Sequence, residues 1–318
     1  MQKAALLLEQ SFLKPLLEDE QVTDITYNGG AIYFVSNEYG RSFYRVVEQQ
    51  KIMNMLRQIA NITNQQFSYQ KPILDVSFAN YRLSAVHPSI GRINYDDGCS
   101  FSLRIAPKEP LDLVANHMLD EKLVETLKEL MNQKKSIVIA GATGVGKTEL
   151  QKYLLSLLPR NERVILIDNV QELSSLQETH ENLDLTVWEL NDDKRPSSLK
   201  SLIKTALRFN PDYILIAESR GDEMEEIYNA SLSGHPTILT LHSDTCEDVY
   251  TRIYQMCPNI FKTLTYKDAL DSLKATYPIV IFLRKKSNEI SQIIRFIEKI
   301  IVYKEGKKEV IYEKEEDA

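Results

Sequence analysis

The stretch Gly141-Ala142-Thr143-Gly144-Val145-Gly146-Lys147-Thr148 carries the clearest chemistry in the chain. Its spacing, G-x-x-x-x-G-K-[ST], is that of a phosphate-binding loop. Glycines let the backbone turn until several N–H groups point at one place, and the dipole of a following helix favours negative charge there. Lys147 is then placed to reach the β- and γ-phosphates of a nucleotide, and the Thr148 hydroxyl to ligate Mg²⁺. Both flanks suit the motif. Ser136 to Ala140 is a short, mostly β-branched apolar run, which predicts a buried parallel strand. Glu149 to Leu158 has helical spacing, and Pro159 stops it.

Three further segments place reactive side chains at the ends of apolar strands. Arg163 to Leu173 ends in Asp168 and Glu172. Hydrolysis needs a carboxylate that orients and partly deprotonates the attacking water, and Glu172 is the candidate. A helix cap or a solvated loop would use the same residue without chemistry. Tyr213 to Glu218 resembles a Walker B strand with Glu218 placed to hold Mg²⁺ through water, although the usual aspartate is missing. Arg220 beside it fits an ion-pair partner and a phosphate contact equally. Ser233 to Ser243 carries His235 and His242 at the two ends of one strand. That strand would hold them about 20 Å apart, too far to share a metal. His242 falls on the phosphate-loop edge, where it could read nucleotide state or serve only as a satisfied structural histidine. Arg82, Arg92 and Arg104 precede the nucleotide fold and read as surface arginines unless the first domain covers a nucleotide site.

The elements that must position these residues fall into two regions. Residues 1–106 read as an α+β domain. Helical spacing runs from Ala4 to Leu17 and from Lys51 to Ile62, where Ile52, Met55, Leu56 and Ile59 share one face. A turn at Asn28-Gly29-Gly30 joins two strands, and 81–86 and 100–105 alternate as strands. Residues 107–118 read as a linker because of Pro107 and Pro110. From 119 to 318 strands and helices alternate, with strands predicted at 136–140, 164–168, 213–217, 237–241 and 278–283. That alternation predicts a parallel sheet covered on both faces, with ligands at the carboxyl ends of its strands.

Composition sets the bounds. The 318 residues suffice for two cores, and 43% hydrophobic with 26% charged residues is ordinary globular composition. A net charge of −7 argues against gripping nucleic acid as the main task. Three cysteines, Cys99, Cys246 and Cys257, with no CxxC pair argue against a disulfide framework and point to a reducing compartment. No apolar run is long enough to span a membrane, so a cytoplasmic location is expected.

Taken in order, the Walker A segment 141–148, the Asp box 165–173, the Walker B segment 213–221 and the His box 233–243 resemble the secretion-system traffic ATPases. That superfamily includes type II secretion, type IV pilus and type IV secretion or conjugation motors. The resemblance is nearest to the hexameric type IV secretion branch, through Gly234-His235-Pro236 and the junction 103–110. Pilus-retraction motors are of similar size and also lack the tetracysteine insertion. The resemblance implies a RecA-like P-loop ATPase domain preceded by a smaller PAS-like α+β domain. It implies ATP hydrolysis with Glu172 as general base, Glu218 at Mg²⁺, and Arg82 and Arg104 on the phosphates. It also implies a homo-hexamer that works with inner-membrane components of a secretion or pilus machine and sits at the inner face of the membrane through them. No direct nucleic-acid binding is expected. One departure stands out: the box that opens with Glu-Asp in the family reads Asp168-Asn169 here. A ring helicase stays open as an alternative, although Lys194-Arg195 and Arg284-Lys285-Lys286 read more simply as solvated faces. A non-hydrolysing assembly subunit stays open too.

Overall fold

In the N-terminal region the strands are β1 (Val22–Tyr27), β2 (Ala31–Ser36), β3 (Gly40–Val46), β4 (Ile73–Phe78), β5 (Tyr81–Val86) and β8 (Ser100–Ile105), with the short β6 (Arg92–Ile93) and β7 (Asp96–Asp97) between the last two. This computed structural model describes residues 2–38, 40–93, 95–107, 112–169, 173, 176, 183–190, 198–287 and 293–314. The six longer strands form one antiparallel sheet in the order β3-β2-β1-β8-β5-β4. Period-two patterning decides its buried face: Leu74, Val76 and Phe78 of β4, Tyr81, Leu83 and Ala85 of β5, and Phe101 and Leu103 of β8 all point into one core. Helix α3 (Gln49–Ile62) packs there through Ile52, Met55, Leu56 and Ile59, the face its spacing predicts. The helix expected over 4–17 is instead two, α1 (Gln2–Glu9) and α2 (Lys14–Leu17). Pro15 lies in the first turn of α2, because inside a continuous helix it would remove a hydrogen bond and clash with the preceding turn.

The second region contains α4 (Glu121–Asn132), β9 (Ile137–Gly141), α5 (Lys147–Ser156), β10 (Arg163–Asp168), β11 (Asp184–Glu189), α6 (Leu199–Ala206), β12 (Tyr213–Ile216), α7 (Met224–Leu232), β13 (Thr237–Leu241), α8 (Val249–Met256), α9 (Tyr266–Thr276), β14 (Ile279–Ser287), β15 (Ile293–Lys304) and β16 (Lys307–Glu313). The sheet order is β11-β10-β12-β13-β9-β14-β15-β16. β11 through β14 are joined by parallel pairings, and β15 and β16 pair antiparallel. Successive residues of one strand feed opposite cores. Ile137 and Ile139 face the core that also holds α4 and α5, while Val138 and Ala140 face the one that holds α6 to α9. A strand buried on both faces has to be apolar throughout, which is why these runs do not alternate.

The expected domain limits need adjustment. The chain divides into Met1–Glu109 with Ser287–Ile294, and Pro110–Lys286 with Arg295–Ala318. Residues 107–118 are therefore not all linker: Leu113 and Met118 are buried in the second unit's core. Their apolar side chains dock there despite the prolines before them. The second unit is also interrupted, since 287–294 goes with the first. There Ile293 N–H donates to Asn37 O at 3.2 Å.

Gln151 fixes α5 to the sheet. It is fully buried, and its side-chain amide donates to Ile216 O at 2.9 Å and Ile238 O at 3.1 Å. Gln151→Ala would lose both bonds and open a cavity, so the second unit should lose about 2–4 kcal/mol. Denaturant unfolding followed at Trp188, the single tryptophan, which packs edge-on against Phe209 5.2 Å away, reads that unit directly. A loss under about 1 kcal/mol would mean the amide carries no such role.

Candidate functional site

Strand β9 delivers the chain into the loop at Gly141, whose φ is +145°, and the turn is completed by Gly144 at +74° and Gly146 at +93°. These values are why glycine is needed at those positions. At Gly141 space forbids a side chain as well, since a Cβ there would sit 2.4 Å from Leu283 O of β14. Val145 is buried beneath the loop, and Gly146 caps α5 in the left-handed conformation. The loop thus lies over a helix N-terminus, the arrangement that binds phosphate. Thr148 is half-buried in the first turn.

Lys147 is 8% exposed, and its ammonium donates to Gly141 O and Ala142 O, each at 2.9 Å. Its Nζ also lies 3.2 Å from Nδ1 of His242. An ammonium can only donate, so Nδ1 is the acceptor and the imidazole proton sits on Nε2. Nε2 in turn lies 2.7 Å from Glu218 Oε1. Oε1 is a buried carboxylate oxygen with no hydrogen-bond partner of good geometry. Arg220 holds the other oxygen of Glu218 at 2.5 Å. Residues that follow β9, β12 and β13 therefore converge as Lys147, Glu218 with Arg220, and His242.

Charge follows from this packing. Burial by itself would raise the Glu218 pKa, but the Arg220 hydrogen bond and charge, with His242 and Lys147, outweigh it and hold the carboxyl below its ordinary value. Burial lowers the pKa of His242, and the Lys147 charge lowers it further against the opposing pull of Glu218. The ring is thus neutral at neutral pH, in agreement with the tautomer that its neighbours require.

The departure at Asp168-Asn169 has a structural use. Asp168 is fully buried and accepts from Leu173 N–H at 2.7 Å. Asn169 Nδ2 donates to Glu218 O at 2.8 Å, and its Oδ1 accepts from Glu218 N–H at 3.1 Å. This reciprocal pair pins the end of β10 to the backbone of Glu218. A carboxylate at 169 could accept from the N–H but would face the carbonyl with no donor.

Of the residues predicted from sequence, Lys147, Glu218 and His242 come together around the loop 141–148. Glu172 and Lys194-Arg195 lie outside the described residues. Arg82 and Arg104 belong to the first unit, directly opposite each other across β5 and β8. Asp75 lies 3.5 Å from Arg82, and Asp24 3.4 Å from Arg104. Arg92 pairs with Asp97 at 2.7 Å across the β6–β7 ladder. His235, at the far end of β13, has its Nδ1 3.3 Å from Ser233 Oγ.

Two loop neighbours were not expected. Lys285 Nζ donates to Thr143 O at 3.0 Å and Arg295 Nε to Gly144 O at 2.9 Å. Arg284, Lys285 and Lys286 are exposed, as the solvated-face reading expects, and Lys285 uses that exposed position to reach the loop. Its strand was predicted to run parallel to β9, so a basic run at its carboxyl end already pointed to the ligand edge. Arg295 had no such signal.

A description of the Type II/IV secretion system protein family matches residues 80–299, more than half of the chain. The chain belongs to that family. An uncharacterized protein of Bacillus anthracis is 30% identical over 264 residues, which cover 79% of this chain and 56% of that protein. The chain thus spans little more than half of that relative's length. The type IV secretion system protein VirB11 of Brucella suis is 26% identical over 273 residues, covering 77% of this chain and 75% of VirB11. Among solved structures, the Legionella pneumophila ATPase DotB superposes with a TM-score of 0.67 at 19% identity, over 92% of this chain and 81% of DotB. At that identity the likeness is one of fold, an α/β ATPase fold. Cys99, Cys246 and Cys257 are buried free thiols whose pKa values burial raises to about 11, 12 and 12. Among the described residues no helix is long and apolar enough to cross a membrane.

Proposed function

We propose that this chain hydrolyses ATP to ADP and phosphate as the motor of a secretion, conjugation or pilus machine. The observation that carries the reading is the phosphate loop with the Lys147 ammonium at its mouth, in contact with a neutral His242 that leans on the Glu218 carboxylate. That chain of contacts suits a site in which phosphate charge, a cation and a metal-binding carboxylate meet. Membership of the family, whose relatives include VirB11, supports the machine.

ATP is the substrate and Mg²⁺ the expected cofactor. Among the described residues no group of three or more His, Cys, Asp or Glu side chains could hold a metal alone. Mg²⁺ suits such a site, because it keeps several waters and binds through one or two protein oxygens plus substrate phosphates. The orphaned Oε1 of Glu218 and the Thr148 hydroxyl are the groups that would hold it. Bound there, it would help neutralise the charge of the phosphates. Glu172 orients the attacking water in this reading.

The finer architecture belongs to the same proposal. We read the second unit as RecA-like, the first as PAS-like, and the active species as a homo-hexamer. Inner-membrane components of the machine would hold it at the membrane. Arg82 and Arg104 are assigned to the phosphates, since a guanidinium fork can hold two phosphate oxygens and keeps its charge. Arg104→Ala should weaken nucleotide affinity or turnover about tenfold, the effect of one charge-assisted contact, without unfolding either unit. Equal activity in this variant would restrict the first unit to an adaptor role. The primary test is release of phosphate by the purified chain with ATP and Mg²⁺. Nucleotide binding with no release would favour a non-hydrolysing assembly subunit.

A further inference from the structure

The sheet continues past the phosphate loop on the side of β14. Leu283 of β14 pairs with Gly141 at the end of β9, so the next residues of β14 run alongside the loop. Strand alternation decides which of them face it. Leu283 shares a core with Val145 of the loop, Arg284 turns away to pair with Glu298, and Lys285 returns to the loop side. From β15, Arg295 reaches the neighbouring peptide. The fit is close: a Cβ on Gly144 would lie 3.3 Å from Lys285 Nζ, and one on Gly146 3.7 Å from Arg295 Cδ.

The acceptors are the consecutive carbonyls of Thr143 and Gly144. In a trans peptide the C=O and the N–H point in opposite directions. A cation fixed on Thr143 O therefore aims the Gly144 N–H the other way, and a cation on Gly144 O does the same for the Val145 N–H. Among the described residues neither amide donates to a backbone carbonyl. A charged donor on the carbonyl also polarises the peptide and strengthens its N–H as a donor.

We propose that Lys285 and Arg295 are positioning residues for phosphate: by gripping the Thr143 and Gly144 carbonyls they present the Gly144 and Val145 amides to a nucleoside di- or triphosphate. This role rests on the nucleotide reading of the loop. It differs from that of Lys147, which acts on the phosphate itself.

The test uses the full chain and four variants, Lys285→Met, Lys285→Arg, Arg295→Met and Arg295→Lys. Thr143-Gly144 is the one Thr-Gly pair in the sequence, and Gly144-Val145 the one Gly-Val pair. Labelling with carbonyl-¹³C threonine and ¹⁵N glycine, or with carbonyl-¹³C glycine and ¹⁵N valine, thus gives one cross-peak per peptide. Each methionine variant should shift its own peptide's signal and weaken ADP binding about tenfold, with an unchanged melting temperature. The Lys285→Arg and Arg295→Lys variants keep a cationic donor and should restore most of both. An unshifted carbonyl, or ADP binding equal to wild type in both methionine variants, overturns the role and leaves the nucleotide reading standing. A wild-type chain that binds no ADP rejects the nucleotide reading, and this role with it.

Discussion

Lys147→Ala should cut phosphate release about 10²- to 10³-fold, the usual cost of removing one preorganised donor from a developing charge. The ammonium touches the Gly141 and Ala142 carbonyls and His242. None of these contacts belongs to the two apolar cores that hold the sheet. The variant should therefore fold, with unfolding by denaturant close to wild type. Lys147→Arg separates charge from geometry. It keeps the charge, but a planar fork does not match the carbonyl and imidazole acceptors that a compact ammonium reaches here, so it too should turn over poorly. Unchanged phosphate release in Lys147→Ala would remove the phosphate-loop assignment altogether.

Glu172→Gln should bind nucleotide normally and lose turnover about 10²- to 10⁴-fold, the weight of general-base catalysis. The division of roles between the two glutamates has a physical basis. A base works best with a pKa near the operating pH, and Glu218 is held below the ordinary carboxylate range by Arg220, His242 and Lys147. It is a weak base in a position that suits a cation. Glu218→Gln should accordingly lose Mg²⁺-dependent nucleotide binding, read by titration with and without the metal. If Glu218→Gln binds with metal normally yet stops turnover, while Glu172→Gln is near wild type, the two roles are exchanged.

Some of this was legible from residue order alone. The phosphate loop needs three left-handed glycines at fixed spacing, and that requirement is written locally. The strands buried on both faces announce themselves as unbroken apolar runs, and α3 by its spaced apolar face. The sequence showed less of β16, because a largely exposed and charged edge strand has no apolar signature. Nor did it show β15, which was not expected as a strand, or the break between α1 and α2, where one proline outweighs a continuous helical period.

The contacts that give the site its chemistry were of another kind. His242 meets Lys147 across 95 positions of chain, and Lys285 meets Thr143 across 142. Asn169 looked like a missing carboxylate until β10 and β12 lay side by side in parallel and Glu218 offered it both a carbonyl and an N–H. Periodicity reports the surroundings of a residue's own element, since burial of one face is a local demand. Which side chains share a strand edge depends instead on sheet order and register, and those are settled only when distant segments pair. The sequence thus determined the reactive groups and the elements that carry them, while the tertiary structure decided which of them touch and in which charge state.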